Sequence, residues 1–134
     1  MTGRADSQIP ADLKFTDNDE WVRIEGDTAI TGITDYAQDQ LSDIVFVEYL
    51  LDEGDQGSKG DTCATVESVK AAADVYLPVS GEIVAVNEDL SDSPELINSD
   101  PYGGAWMYKI KLSDPSEVND LLDVAAYQLL AEDH

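Results

Sequence analysis

The chain has 134 residues, of which 43% are apolar and 27% are charged. This length and apolar fraction predict one folded domain with a modest core and exclude an intrinsically disordered chain. The formal net charge is −22, from 29 acidic and 7 basic side chains, which excludes non-specific binding to nucleic acid and attraction to anionic membranes. We therefore expect basic protein surfaces as partners.

The chain begins with a polar segment. Residues 1–12 show no periodicity and contain Pro10, which predicts a mobile N-terminal arm. We expect residues 13–134 to form a single domain. They carry the periodic segments from which strands and helices are predicted.

The first half of this domain predicts strands around one short helix. Residues 21–25 alternate as in a strand, Gly26-Asp27 is a turn signal, and residues 28–33 return as a second strand, which predicts a β-hairpin. Residues 34–41 begin with a threonine and an aspartate, as helices commonly do. Residues 44–51 form a continuous run of β-forming residues, which predicts a central strand buried on both faces.

The second half continues the strands and ends in helices. Residues 62–81 predict a hairpin with a corner of small residues, and residues 81–87 and 105–112 predict two further strands. A proline near the start of residues 94–98 predicts a short helix. Residues 114–132 change to helical spacing, which predicts a helical extension packed on a β core.

Few side chains suit catalysis. Cys63 is the only cysteine, which excludes an internal disulfide and indicates a reducing compartment, and its apolar neighbours predict a buried structural thiol. His134 is the only histidine and stands last, so neither a Ser-His-Asp triad nor a Cys/His metal cluster is expected. No apolar run approaches the roughly 18 residues of a membrane span, and residues 1–12 show no targeting pattern. We expect a cytoplasmic protein that is not an enzyme, and the acidity spread along the chain predicts a salt-rich cytoplasm.

Lys70 is the only positive charge between Lys59 and Lys109, and it stands at the corner of the hairpin predicted over residues 62–81. A lysine there is either an ordinary solvated surface residue or an amine presented for a covalently attached carrier group such as lipoamide or biotin. The neighbouring residues favour the second interpretation.

These residues resemble the H-protein family of the glycine cleavage system. Glu-Ser-Val-Lys-Ala stands at residues 67–71 and Pro-Val-Ser-Gly at residues 78–81. An acidic residue thus lies three positions before Lys70 and a glycine eleven after it, as in lipoyl sites, whereas biotin carriers flank the lysine with methionines. Further segments match the family in the same order: residues 20–22, 32–38, 43–48, 87, 94–98 and 100–103. Asp19 and Ser42 depart from it, since the family often has histidine and commonly has glycine at these positions.

The resemblance implies a mainly β fold, the biotinyl/lipoyl-carrier barrel-sandwich hybrid, with short helices and a C-terminal helical extension. It implies lipoate attached covalently to Lys70. Glu67 and Gly81 would be recognised by the lipoylating enzyme, with Gly81 permitting a tight turn. Contacts to the lipoyl arm or its aminomethyl cargo are expected from Glu20, Tyr36 and Asp74.

The implied function is that of a carrier. The lipoyl-lysine would accept an aminomethyl group from glycine decarboxylase (P protein) and present it to the tetrahydrofolate-dependent aminomethyltransferase (T protein). Dihydrolipoamide dehydrogenase (L protein) would reoxidise it, after a lipoate ligase or lipoyltransferase had loaded Lys70. We expect a monomer. Two alternatives remain: a lipoyl domain or lipoate-relay protein serving 2-oxo acid dehydrogenases, and a non-catalytic acidic interaction module.

Overall fold

The structure is a computed structural model that describes residues 13–132, so the arm predicted over residues 1–12 lies outside the described residues. Within them the fold is mainly β. The strands are β1 (Lys14–Phe15), β2 (Glu20–Glu25), β3 (Thr28–Ile33), β4 (Ile44–Tyr49), β5 (Gln56–Gly57), β6 (Thr62–Ser68), β7 (Ala72–Tyr76), β8 (Gly81–Val86) and β9 (Tyr108–Leu112). The helices are α1 (Asp35–Leu41), α2 (Asp89–Asp92), α3 (Leu96–Ser99), a 3₁₀ helix (Pro115–Asp120) and α4 (Val124–Glu132).

The strands form two antiparallel sheets. The larger sheet has the order β1-β2-β3-β9-β8-β5, and the smaller has the order β4-β6-β7. Apolar side chains of both sheets meet in one buried cluster, for example Val22 and Ile110 from the larger sheet and Val47 and Val66 from the smaller. This arrangement confirms the predicted sandwich with short helices.

The hairpin predicted around Gly26 is β2–β3, paired from Glu20↔Ile33 to Glu25↔Thr28. Gly26 has φ +65°, a conformation that glycine adopts without steric cost. The helix predicted next is α1, and its cap is Thr34, whose hydroxyl oxygen accepts a hydrogen bond from the Ala37 N–H at 3.1 Å. The polypeptide thus turns twice within a short stretch and places α1 beside the start of β2.

A second cluster of buried residues attaches the C-terminal helix α4 to the sheet. The ring of Tyr127 stacks on Phe15 with centroids 4.6 Å apart. Its hydroxyl lies 2.7 Å from the Thr34 hydroxyl and donates to Asp19 Oδ1 at 2.9 Å. The predicted helical extension therefore packs on the β core, and one tyrosine joins it to the loop before β2.

The prediction of a central strand over residues 44–51 is wrong. β4 is an edge strand of the smaller sheet, and only Ile44 and Val47 among its residues are buried in the core. Val45 and Phe46 are 52% and 48% exposed, because the pairing with β6 is irregular between Ile44 and Phe46. A continuous apolar run predicts two buried faces, whereas here it covers one buried face and one exposed apolar surface.

Candidate carrier site at the β6–β7 hairpin

Lys70 lies at the tip of the β6–β7 hairpin, where the sequence predicts it. The ladder between the two strands ends at the pair Glu67↔Ala72, and the chain reverses over residues 68–71. The Ser68 N–H donates to the Ala71 carbonyl at 2.7 Å and closes the turn. Farther down the hairpin, Val66 and Val75 are buried, so the tip stands on a support fixed in the core.

The turn is held by further hydrogen bonds. The Ser68 hydroxyl oxygen accepts from the Lys70 N–H at 3.2 Å and from the Ala71 N–H at 3.0 Å. The Val69 N–H donates to the Asp43 carbonyl at 3.0 Å, which ties the tip to the residue before β4. The Lys70 side chain itself is exposed, and among the described residues no carboxylate lies within ion-pair distance of its amine. A hydrogen-bonded turn thus presents the amine to solvent.

Glu67 lies next to the tip on the outer face of the smaller sheet. It is exposed and pairs across the sheet with Phe46 of β4 and Ala72 of β7. Because directly paired residues project from the same face, the Glu67 carboxylate stands between these two neighbours. Another protein approaching the tip would reach this carboxylate.

Gly81 lies elsewhere, at the start of β8, paired with Leu112 of β9. The expectation of a tight turn at Gly81 is wrong. The residue has no positive φ and belongs to a strand. The reason for glycine is space: a Cβ would overlap the carbonyl oxygen of Lys111 and come within 2.8 Å of an Ile110 methyl group. Gly81 therefore allows β8 to pack closely against β9.

A cleft of about 190 Å³ lies between β7 and α1. Its lining includes Glu20 and Asp74, which are far apart in the sequence but face the same space. Apolar lining comes from α1 and from the core-facing side of the hairpin, including Leu41 and Val66. Tyr36 packs against the second buried cluster and is not among the residues that line this cleft.

Glu20 is the buried acid of the cleft, with 1% of its surface exposed. One carboxylate oxygen accepts from the Thr16 hydroxyl at 2.9 Å and the other from the Tyr76 N–H at 2.8 Å. Burial, with smaller contributions from Asp19 and Asp17, raises the pKa of Glu20 to about 7, although both hydrogen bonds oppose the shift. The carboxyl therefore titrates near neutral pH, and a cation in the cleft would favour its ionised form.

Asp19 is a cleft residue to which the sequence assigned no role. It lines the space beside Glu20, has φ +65°, and accepts the Tyr127 hydroxyl. The sequence marks Asp19 only because the family often has histidine at this position. That difference does not predict a contact with Tyr127, which lies 108 residues farther along the chain.

Cys63 is buried at 1% exposure, and its thiol donates to the Val75 carbonyl at 3.3 Å. Burial raises the thiol pKa well above its ordinary range, which agrees with the predicted structural role. Among the described residues, acidic, cysteine and histidine side chains form no group that could hold a metal ion. No described helix has the length and apolar character that a membrane crossing requires.

Comparison with known proteins identifies the family. The family model described as "Glycine cleavage H-protein" matches residues 13–134. A protein of Escherichia coli O45:K1 named "Glycine cleavage system H protein" is 59% identical over 128 residues, which are 95% of this chain and 98% of that protein. A protein of the same name from Citrobacter koseri is 57% identical over the same shares of the two chains.

A solved structure gives the same result at the level of the fold. The crystal structure of a glycine cleavage system H protein from Mycobacterium marinum superposes with a TM-score of 0.81 at 38% identity and covers 89% of this chain and 95% of that one. From the family model, the relatives and the shared fold together, the chain belongs to the glycine cleavage H-protein family.

Proposed function

We propose that this chain is the lipoyl-carrying shuttle of the glycine cleavage system, with lipoate in amide linkage to Nζ of Lys70. The observation that carries the proposal is the exposed amine of Lys70 on a hydrogen-bonded hairpin tip, without an ion-pair partner among residues 13–132, in a chain of the glycine cleavage H-protein family. The chain acts as a carrier and not as an enzyme. Its cytoplasmic location and its monomeric state are parts of the same proposal.

The division of labour follows from this geometry. When bound, lipoate supplies a dithiolane that accepts the aminomethyl group from the P protein and is reduced in doing so. The chain itself supplies reach and position: the Lys70 stem is flexible, whereas the turn beneath it is fixed by Ser68. Tethering raises the local concentration of the aminomethyl group at the active site of the T protein, and then that of the reduced arm at the active site of the L protein.

The cleft between β7 and α1 is proposed to hold the loaded arm between visits. An aminomethyl group carries a positive amine, and Glu20 and Asp74 face the cleft. An ionised Glu20 held by Thr16 and Tyr76 would form a charge-assisted hydrogen bond with that amine. Tyr36 was expected to join these contacts; since it packs against the second cluster, we assign the binding of the cation to the two carboxylates.

The experiment uses the full chain and follows its intact mass. Incubation with a lipoate ligase, ATP and lipoic acid should add one lipoyl group to the wild type and none to Lys70→Arg, which keeps the charge but not the amine nucleophile. Addition of glycine and glycine decarboxylase should then reduce the modified chain. A chain that is lipoylated but reduced only by a 2-oxo acid dehydrogenase would support the alternative of a lipoyl domain serving those enzymes. A chain that stays unmodified would overturn the proposal.

Glu67 is proposed as the residue that the lipoylating enzyme recognises. It is exposed and pairs within the sheet with Phe46 and Ala72, so its loss removes no buried contact. Glu67→Ala should lower the rate of lipoylation severalfold and leave the circular dichroism spectrum unchanged. An unchanged rate would refute this role.

A further inference from the structure

Three exposed apolar side chains lie in the Lys70 turn and in the part of β4 that pairs with the residues just before it. Val45 is 52% exposed, Phe46 48% and Val69 66%; together we call them the tip patch. Val69 directly precedes Lys70, and its N–H is bonded to the carbonyl of Asp43. Phe46 pairs with Glu67 on the outer face of the smaller sheet. One residue of the patch thus adjoins the lysine in the chain, and another adjoins Glu67 across the strands.

A β-bulge creates the patch. In the pairing of β4 with β6, Ile44 lies opposite Ser68 and Phe46 lies opposite Glu67, so Val45 is an extra residue. Regular alternation would turn Phe46 inward after Val45, but the bulge leaves both side chains on the outer face, while Ile44 and Val47 stay buried. Adjacent exposed apolar residues beside a reactive amine, rimmed by charge, are typical of an interaction surface.

The charged residues around the tip patch indicate which kind of partner surface could bind it. The patch is bordered by exposed Asp43, Glu48 and Glu67, and Lys70 is the nearby cation. A complementary surface would combine an apolar centre with basic side chains at its edge.

The distance from the tip patch to the reacting atom differs between the partner enzymes, and it indicates which of them must contact the patch. An enzyme that acylates Nζ of Lys70 has to bring its active site within the length of the lysine side chain, so its surface must contact the residues around the tip. Enzymes that act on the far end of an attached arm work one arm length farther out. Contact with the tip patch is therefore obligatory for the attaching enzyme alone.

We propose that the tip patch is the docking surface for the enzyme that attaches the lipoyl group, and that this enzyme offers an apolar contact edged by cations. The inference rests on the proposed function. In the step concerned, the neutral Lys70 amine attacks the carbonyl carbon of lipoyl-adenylate. A C–N bond forms, the bond from that carbon to the phosphate oxygen breaks, AMP leaves, and the amine proton passes to solvent. ATP and lipoic acid supply the adenylate with release of pyrophosphate.

The test compares initial rates of lipoylation of the full, unmodified chain by a lipoate ligase with ATP and lipoic acid. The double variant Val45→Ser/Phe46→Ser should lower kcat/KM for the chain about tenfold, chiefly through KM, because buried aromatic contacts dominate interface energies. Leu129→Ser is the matched control, since Leu129 is 68% exposed on α4, and it should leave kcat/KM unchanged. If the double variant melts at a lower temperature than the wild type, its loss of kcat/KM could come from unfolding. Val69→Ser, which lies in the turn, then tests the patch independently.

A second measurement separates this docking from docking of other enzymes. The variants are lipoylated to completion by long incubation and then reduced with glycine and glycine decarboxylase, at a rate expected to equal that of the wild type. Lipoylation of both patch variants at the wild-type rate would overturn the proposal. An equal loss in the decarboxylase step would also overturn it, because the patch would then serve the other partner. Failure of the wild type to accept lipoate would instead remove the proposed function itself.

Discussion

At the scale of single residues, Glu20 makes stability depend on pH. Its pKa is raised from an ordinary 4.5 to about 7 by burial. Between these two values the folded chain keeps a proton that the unfolded chain has released, so the stability contributed by Glu20 falls as the pH rises through this window and stays low above it. The effect is at most about 3 kcal/mol. Glu20→Gln keeps a neutral polar group there, so its melting temperature relative to the wild type should increase between pH 5 and pH 8.

The control for Glu20 is Glu25→Gln, an exposed position in the same strand. This variant removes one negative charge as well, but from an exposed position. Its melting temperature relative to the wild type should change much less over the same range. Parallel curves for the two variants would show that Glu20 is ionised throughout.

Ser42 stores strain that a glycine would release. Its backbone has φ +70° and ψ −151°, a region that is nearly restricted to glycine and costs a side-chain-bearing residue about 1–3 kcal/mol. Ser42→Gly should therefore raise the free energy of unfolding by about 1 kcal/mol, after the entropy lost by glycine is subtracted. The backbone bonds to Gln38 and Asn98 remain.

Urea denaturation measures this gain. Ser91→Gly, at an exposed position in α2, is the comparison, because its backbone does not have a positive φ and glycine should destabilise it. Loss of stability in both variants would mean that Ser42 is not strained.

At the scale of secondary-structure elements, the packing of β8 on β9 depends on Gly81. A methyl group there would overlap the Lys111 carbonyl, and backbone cannot yield as a side chain does. Gly81→Ala should cost about 1–3 kcal/mol or more in unfolding free energy. Gly104→Ala is the control, because its nearest neighbour is the flexible Asp100 side chain at 3.2 Å.

The same variant separates two roles of Gly81. If lipoylation of the Gly81→Ala chain falls only in proportion to the unfolded fraction, the glycine acts through the fold. Reduced lipoylation of chains that remain folded would instead support the recognition role expected from the family resemblance.

Elements whose structure is set by residues close together in the sequence could be predicted, whereas elements that depend on long-range pairing could not. The hairpins came from alternation and a turn at Gly26 or near Lys70, all within one short segment. The edge position of β4 depends on which strands pair over long range, and the bulge that exposes Phe46 has no signal in an apolar run. The cleft is the least predictable feature, because it brings together residues far apart in the sequence, such as Tyr76 and Glu20, which are 56 positions apart. Only the family resemblance indicated that Glu20 and Asp74 contact the same arm.

At the scale of the whole molecule, repulsion among like charges opposes the fold. The chain carries 29 acidic side chains against 7 basic ones. The ion pair found among the described residues joins Lys59 and Asp120 at 3.5 Å on an exposed surface, where such pairs contribute about 0–1 kcal/mol. The expectation of a salt-rich cytoplasm rests on this imbalance and stays a prediction.

Screening should therefore stabilise the protein. Raising KCl from about 0.01 M to about 1 M shortens the Debye length from about 30 Å to about 3 Å, so repulsion between surface carboxylates largely disappears and the melting temperature at pH 7 should rise. The increase should shrink toward the isoelectric point near 4.1, because fewer charges remain to be screened, whereas a salt effect on apolar burial would persist there. Scanning calorimetry at pH 7 and pH 5 distinguishes the two, and a melting temperature that does not respond to KCl at pH 7 would mean that the acidic surface is not an adaptation to salt.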